Sequence, residues 1–239
     1  WYIAVHIETD GAWTHGFFIR HNFERYTDTM EGHGGPFFLP LAFVITGLLP
    51  FSQFIFQAGA QAWKNRRESL LLFSLLTVVV FVVFFGFSST KLPSYPAPCF
   101  PFAAVLLGYF LNQLEAEGDW KRFGARFSYL FYVLIAFSLP IGIYIALSFE
   151  QELSHLQFLA WYFAALPIGA VFAVFWGMQG RMRLSFYSMA ASFFITSVLF
   201  FYVVFPQVDL ENPVVSAREK IPFSAPVVYY HRMNPAFVF

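Results

Sequence analysis

The sequence predicts an all-α fold: a polytopic membrane bundle of six transmembrane helices, with an interfacial amphipathic helix before the first span. Three observations predict it. Hydrophobic residues fill 58% of the 239 positions and charged residues only 12%, against roughly 25% in an average soluble domain. Six long stretches contain no charged residue and no histidine. Before the first of them, apolar and polar side chains recur at helical spacing.

Composition also excludes several classes of protein. Lys and Arg together number 14, as do Asp and Glu, so the formal net charge is zero and a basic nucleic-acid-binding face is not expected. The single cysteine, Cys99, excludes a disulfide-stapled secreted domain. The apolar content excludes a disordered chain.

The first element in chain order is a helix within residues 13–36, in an outer-face segment that spans 1–36. Four apolar residues, spaced four, three and four positions apart, share one face: Ile19, Phe23, Tyr26 and Met30. Three polar residues share another face: His21, Arg25 and Asp28. Such a helix lies flat with its apolar face in lipid. The polar face is then either merely solvated or binds a phosphate, through the Arg25 guanidinium and a second bond from His21.

The six uncharged stretches are the predicted spans of a bundle over residues 37–208. They are 37–63, 69–90, 92–114, 127–149, 156–180 and 184–208. Each exceeds the roughly 20 residues that a helix needs to cross the hydrocarbon core. Because lipid offers no hydrogen-bond partners, each stretch is expected to satisfy its own backbone as a helix.

Basic residues alternate between the loops that join these stretches. The loops after the first, third and fifth stretches hold Lys64, Arg66, Arg67, Lys121, Arg122, Arg126, Arg181 and Arg183. The loops after the second and fourth stretches hold Lys91 as their one Lys or Arg. Because basic loops stay on the cytoplasmic side, the Lys91 loop and both ends of the chain are predicted to lie outside.

Both ends are expected to continue into further segments. An outer N-terminus without a signal peptide predicts additional spans upstream of Trp1. After the sixth stretch the chain turns polar, and 227–239 reads like a pair of strands. Residues 209–239 are therefore predicted to begin an outer-face soluble domain.

The loop between the second and third stretches is the second candidate for chemistry. Four prolines stiffen it and delay any regular helix until about Pro98 or Pro101; the other two are Pro93 and Pro96. Lys91 is its one charge, preceded by three hydroxyl residues and followed by Tyr95. The ammonium either extends to the lipid head groups or binds an anion together with the Tyr95 hydroxyl. At a membrane surface the natural anion is a lipid phosphate.

Two other function classes stay open from the residues alone. A transporter or flippase-like bundle would place ionisable residues inside its spans, and the six stretches contain none. A structural membrane subunit would need no affinity for lipid phosphate. The sequence contains no phosphate-binding glycine loop, no serine elbow and no metalloprotease helix.

Four motifs carry a resemblance to a known family. Residues 17–26 read FFIRHNFERY, residues 33–38 read HGGPFF, residues 47–51 read GLLPF, and residues 87–98 read FSSTKLPSYPAP. Over roughly residues 13–115 the chain resembles the superfamily of aminoarabinose transferases and protein O-mannosyltransferases. These are bacterial integral-membrane glycosyltransferases of the GT-C class.

The resemblance implies a function for the two outer segments. It implies a polyprenyl-phosphate-linked sugar as donor, and a lipid, glycan or protein as acceptor, at the periplasmic face of the bacterial inner membrane. It places Lys91, Tyr95 and Arg25, with His21, near the phosphate of the carrier lipid.

The resemblance also implies what lies elsewhere. Some family members hold a divalent metal through a histidine of the loop that matches 21–33, which nominates His33 or His21. The family's catalytic acid lies in its first outer loop, so we expect it upstream of Trp1. On that reading, residues 1–239 bind the carrier but do not catalyse transfer by themselves.

Overall fold

The structure is a computed structural model and describes residues 1–29, 33–121 and 124–212. Its ordered elements are helices. The α-helices are α1 (Tyr2–Glu8), α2 (Ala12–His15), α3 (Arg25–Thr27), α4 (Leu39–Gly47), α5 (Ile55–Lys64), α6 (Ser69–Phe87), α7 (Phe100–Glu117), α8 (Ala125–Phe149), α9 (Ala165–Met178), α10 (Met182–Leu199) and α11 (Phe205–Leu210). Short 3₁₀ helices cover Ser52–Phe54, Ala97–Cys99 and Ser154–Ala164, and π-helices cover Gly16–Glu24 and Phe200–Val204.

The predicted class, an all-α membrane bundle, is confirmed, but the number of long helices is five among the described residues. Five helical runs are long and apolar enough to cross a membrane: Ser69–Phe87, Ala97–Glu117, Ala125–Phe149, Ser154–Met178 and Met182–Leu210. They correspond to the second to sixth predicted stretches.

The first predicted span, 37–63, is not one helix, and this corrects the count of six. Helix α4 ends at Gly47 and α5 begins at Ile55. Each is about half the length that crossing the hydrocarbon core requires. Pro50 explains the break, because it has no backbone N–H and disfavours helical dihedrals at the residue before it. The prediction of six spans counted apolar residues only, and such a count takes no account of the missing backbone N–H of Pro50.

The helix before the first predicted span is present, but it ends earlier than residue 36. It runs from α2 through the π-helix Gly16–Glu24 to α3 and stops at Thr27, because Asp28 has extended backbone with φ −122° and ψ 148°. Asp28 is therefore not on a helical face with His21 and Arg25. A π-helix has a wider turn than the α-helix on which the predicted faces were based. Met30 lies outside the described residues.

The chain divides into two compact units, the first of which ends at Ser128. In this unit α4, α5 and α7 each contact α6, and α5 also contacts α7. Phe54 and Phe110 are fully buried, with ring centroids 5.9 Å apart. The candidate site begins directly after the C-terminal end of α6.

The second unit begins at Tyr129 and is built around the pair α9 and α10. A Cβ atom at Gly169 would collide with the side chain of Ser192, so a glycine is what permits these helices to approach so closely. Buried hydroxyls link the helices as well. The hydroxyls of Tyr129 and Ser185 lie 2.7 Å apart, and Ser185 donates to the carbonyl of Ala173 at 2.7 Å.

The predicted outer-face domain at 209–239 falls mostly outside the described residues. Helix α11 continues the last long helical run to Leu210. The strand pair predicted at 227–239 lies entirely outside the described part of the chain.

Candidate functional site

The two segments that the sequence singles out lie side by side in the first unit. The turn that follows α6 runs along the chain that follows α3. The backbone N–H of Ser89 donates to the carbonyl of Tyr26 at 2.8 Å, and the N–H of Lys91 donates to the carbonyl of His33 at 2.7 Å. Residues about 60 positions apart in sequence thus meet through the main chain.

Two hydroxyls add to this pairing. Ser89 Oγ donates to the carbonyl of Thr27 at 2.7 Å, and Thr90 Oγ1 donates to the carbonyl of Asp28 at 2.7 Å. The last carbonyls of a helix have no partner inside it. Because the helix stops at Thr27, these carbonyls are available, and Ser89 and Thr90 satisfy them. We call the hydroxyls of Ser89 and Thr90, with the carbonyls of Thr27 and Asp28, the hydroxyl clamp.

Lys91 is buried, with only 7% of its surface exposed. Its ammonium donates to the carbonyl of Ser88, and the Ser88 hydroxyl donates to the carbonyl of Thr90 at 2.7 Å. Ser88 directly follows α6, whose C-terminal end carries partial negative charge and so favours a cation. The side chain therefore folds back into the protein and does not extend to the surface.

The buried ammonium has no carboxylate beside it in the described parts of the chain. An ammonium has three donors, and the Ser88 carbonyl accepts from one of them. A buried charge is costly unless it is paired and hydrogen-bonded.

Tyr95 is held on a stiff turn close in sequence to Lys91. Its ring packs on Phe85 of α6 with centroids 4.7 Å apart, and its N–H donates to the carbonyl of Leu92 at 3.1 Å. The next residue, Pro96, is fully buried. The turn passes into the short 3₁₀ helix Ala97–Cys99 and then α7, which agrees with the predicted start of helix near Pro98.

Gly86 permits a close approach between α6 and the backbone at Phe37, and it was not predicted from the sequence. A Cβ atom there would lie 2.9 Å from the carbonyl oxygen of Phe37 and 2.7 Å from its ring. The Phe37 ring packs instead on Phe87, with centroids 4.9 Å apart. The available signal was an isolated glycine inside an apolar helical run, which often marks close packing.

The remaining predicted site residues are only partly described. Arg25 lies in α3 and His21 in the preceding π-helix, but both side chains lie outside the described part of the structure. His33 contributes its carbonyl to the Lys91 N–H. Among the described residues, no group of three or more His, Cys, Asp or Glu side chains could hold a metal ion. The divalent metal that the resemblance implies thus gains no support from these residues.

Comparison with curated proteins confirms the resemblance to aminoarabinose transferases. No family model matches the chain. An undecaprenyl phosphate-α-4-amino-4-deoxy-L-arabinose arabinosyl transferase of Pseudomonas aeruginosa strain UCBPP-PA14 is 32% identical over 119 residues, 50% of this chain and 22% of that protein. Proteins of the same name from Enterobacter sp. strain 638 and Proteus mirabilis strain HI4320 are 32% and 28% identical over 117 and 121 residues. These matches cover 48% and 51% of this chain, and 21% and 22% of the relatives.

A solved structure shares the fold. The crystal structure of ArnT from Cupriavidus metallidurans bound to undecaprenyl phosphate matches all of this chain with a TM-score of 0.68 at 20% sequence identity. The match covers 44% of the crystallised chain. The present chain thus corresponds to less than half of that protein, and its helical bundle is an ArnT-like fold.

Proposed function

We propose that this chain is part of a membrane glycosyltransferase that moves a sugar from a polyprenyl-phosphate carrier to a lipid, glycan or protein acceptor. The reaction takes place at the periplasmic face of a bacterial inner membrane. Residues 1–239 supply the site for the carrier phosphate, formed by Lys91, Tyr95, Arg25 and His21. The sugar is a pentose or a hexose, and the relatives' name, arabinosyl transferase, favours a pentose.

One observation carries the proposal, namely the buried Lys91 ammonium without a carboxylate beside it among the described residues. Taking an ammonium out of water costs several kcal/mol unless an opposite charge accompanies it. A phosphate supplies that charge and several acceptor oxygens. Lys91 lies between the two membrane-length runs Ser69–Phe87 and Ala97–Glu117, and therefore near an end of each. This is the level at which lipid phosphates lie.

The chemistry explains why cations belong there. In the transfer, the bond between the sugar's anomeric carbon and the phosphate oxygen breaks, and the phosphate leaves with the electron pair and gains one unit of negative charge. The acceptor oxygen forms the new bond to the sugar. Lys91 and Arg25 stabilise the charge that grows on the phosphate. A carboxylate of the full-length enzyme, expected upstream of Trp1, takes the acceptor's proton as general base.

A transfer assay with the natural full-length protein tests this function. Lys91→Ala and Arg25→Ala should each reduce sugar transfer at least tenfold, because each removes a charge-assisted contact worth about 1.5–3 kcal/mol. Insertion into the membrane should be unchanged. Lys64→Ala and Arg20→Ala are matched controls, because both side chains are exposed, and they should transfer at the wild-type rate.

The outcome separates the proposal from the two other classes. Wild-type transfer by both the Lys91 and the Arg25 variants would reject the assignment. A structural subunit would show no affinity for undecaprenyl phosphate. A transporter or flippase would move a lipid across vesicles without transferring sugar.

A further inference from the structure

We infer that Ser89 and Thr90 are positioning residues that fasten the helix end carrying Arg25 to the turn carrying Lys91. The inference rests on the proposed function and assigns to both residues a role in holding the phosphate site together. Ser89 and Thr90 do not contact the phosphate. They act by keeping the two parts of its site together.

The positions of the clamp bonds relative to the proposed ligands support this role. In the first of the two paired segments, Tyr26 and Thr27 directly follow Arg25. The carbonyl of Tyr26 accepts a hydrogen bond from the Ser89 N–H, and the carbonyl of Thr27 accepts one from the Ser89 hydroxyl. On the other, Thr90 directly precedes Lys91. The clamp hydroxyls thus lie one and two residues from Lys91, and the clamp carbonyls lie two and three residues from Arg25.

Among the described residues, the other side-chain hydrogen bonds from this segment to α6 and the turn after it are long: the Tyr26 hydroxyl donates to the carbonyl of Phe84 at 3.4 Å, and Thr29 Oγ1 donates to the carbonyl of Ser89 at 3.5 Å. Helices α1 and α2 contain no buried residue, and Thr27 and Asp28 are exposed. The side-chain packing that the structure describes between this segment and α6 is the ring of Tyr26 on Phe84, with centroids 4.9 Å apart. Where hydrophobic burial is slight, hydrogen bonds decide the position of a segment. Of the two hydroxyl bonds in the clamp, the bond from Thr90 should be the stronger. Thr90 is only 1% exposed, so its hydroxyl is shielded from competing water.

A pair of matched variants isolates the hydroxyl. Thr90→Val keeps the shape of the side chain and removes the donor, whereas Thr90→Ser keeps the donor. In the natural full-length protein we expect Thr90→Val to weaken binding of undecaprenyl phosphate about three- to tenfold, the effect of losing one hydrogen bond. Thr90→Ser should bind like the wild type. Equal affinity of the wild type and the Val variant would overturn the inference.

A double-mutant cycle with Arg25 distinguishes positioning from a general structural role. If Thr90 acts by placing the Arg25 helix, then Thr90→Val should change affinity much less in an Arg25→Ala background than in the wild type. Fully additive losses would overturn the inference. If Thr90→Val prevents folding, Ser89→Ala takes its place in the same cycle, because Ser89 is less buried.

The controls separate failure of this inference from failure of the proposed function. If Lys91→Ala and Arg25→Ala both bind undecaprenyl phosphate normally, the proposed function is wrong. If those two variants lose affinity and Thr90→Val and Ser89→Ala do not, only the positioning role is wrong.

Discussion

Replacing Lys91 with methionine removes the buried ammonium and keeps an unbranched side chain of similar reach. The prediction is that Lys91→Met loses affinity for undecaprenyl phosphate and does not lose stability. A residue kept only for folding would show the opposite pattern. This contrast makes Lys91→Met more informative than a truncation to alanine, which would also leave a cavity.

The expected loss of affinity follows from the burial of the charge. Lys91 is 7% exposed, so its attraction to a phosphate is little screened by solvent. Opposite charges about 4 Å apart attract by ~4 kcal/mol at an effective dielectric constant of about 20. Measured hydrogen bonds to charged groups contribute about 1.5–3 kcal/mol. A loss of about 2–4 kcal/mol raises the dissociation constant roughly 30- to 1,000-fold.

The expected effect on stability is the difference between two opposing terms. The variant loses the bond from the ammonium to the Ser88 carbonyl, worth about 1.5–3 kcal/mol. It also no longer has to bury a charge, which relieves a cost of several kcal/mol. The melting temperature in the absence of the carrier should therefore stay the same or rise.

The assay is a titration of the purified full-length protein with undecaprenyl phosphate, followed by thermal melting of the same samples. Lys64→Met is the control, because Lys64 is an exposed lysine in the same unit, and it should change neither measurement. Normal carrier affinity in a folded Lys91→Met protein would refute the reasoning. A fall of several degrees in melting temperature without the carrier would show that Lys91 is needed for folding.

Two further predictions concern the frame around Lys91. Tyr95→Phe keeps the ring on Phe85 and removes the hydroxyl. Affinity for the carrier should therefore fall about three- to tenfold, and the melting temperature should not change. An unchanged affinity would show that Tyr95 does not belong to the site. Gly86→Ala should destabilise the protein by about 1–3 kcal/mol in denaturant unfolding, because the new Cβ would lie 2.9 Å from the Phe37 carbonyl. Gly108→Ala is the control, because no atom lies within 4 Å of the new Cβ, and it should leave stability unchanged or slightly raised. Equal losses of unfolding free energy in the two variants would contradict the packing argument.

The spacing of charges predicted most of the fold, because lipid imposes a strict rule on backbone hydrogen bonds. Five of the six uncharged stretches overlap a helix of membrane length. The exception is 37–63, where the predicted single helix is interrupted at Pro50. Hydropathy did not reveal this break, because it measures the polarity of side chains and not the loss of a backbone N–H. The second stretch was predicted to reach residue 90, but α6 ends at Phe87. Of the last three residues of this stretch, Ser89 and Thr90 bond to the distant segment after α3, and Ser88 bonds within its own turn.

The helix faces at the N-terminus were harder to predict. Periodicity at 3.6 residues per turn assumes an α-helix, and Gly16–Glu24 is a π-helix. The predicted polar face included Asp28, but backbone there is extended and its carbonyl accepts from Thr90. A hydrogen bond across 62 residues leaves no local trace in a sequence.

The site was predictable in its residue types and not in its arrangement. An isolated lysine among prolines and hydroxyls marked Lys91 as unusual, and the structure buries it. The sequence could not show that the three hydroxyl residues before Lys91 would bond to different parts of the chain. Ser88 bonds within its own turn, whereas Ser89 and Thr90 bond to the segment after α3.

The central claim is that the Lys91 ammonium holds the phosphate of a polyprenyl carrier. The most direct measurement is an experimental structure of the full-length protein with undecaprenyl phosphate bound. We expect a phosphate oxygen within hydrogen-bond distance of Lys91 Nζ, with the hydroxyl clamp intact. A carrier phosphate bound elsewhere, with the ammonium still donating only to the Ser88 carbonyl, would contradict the claim.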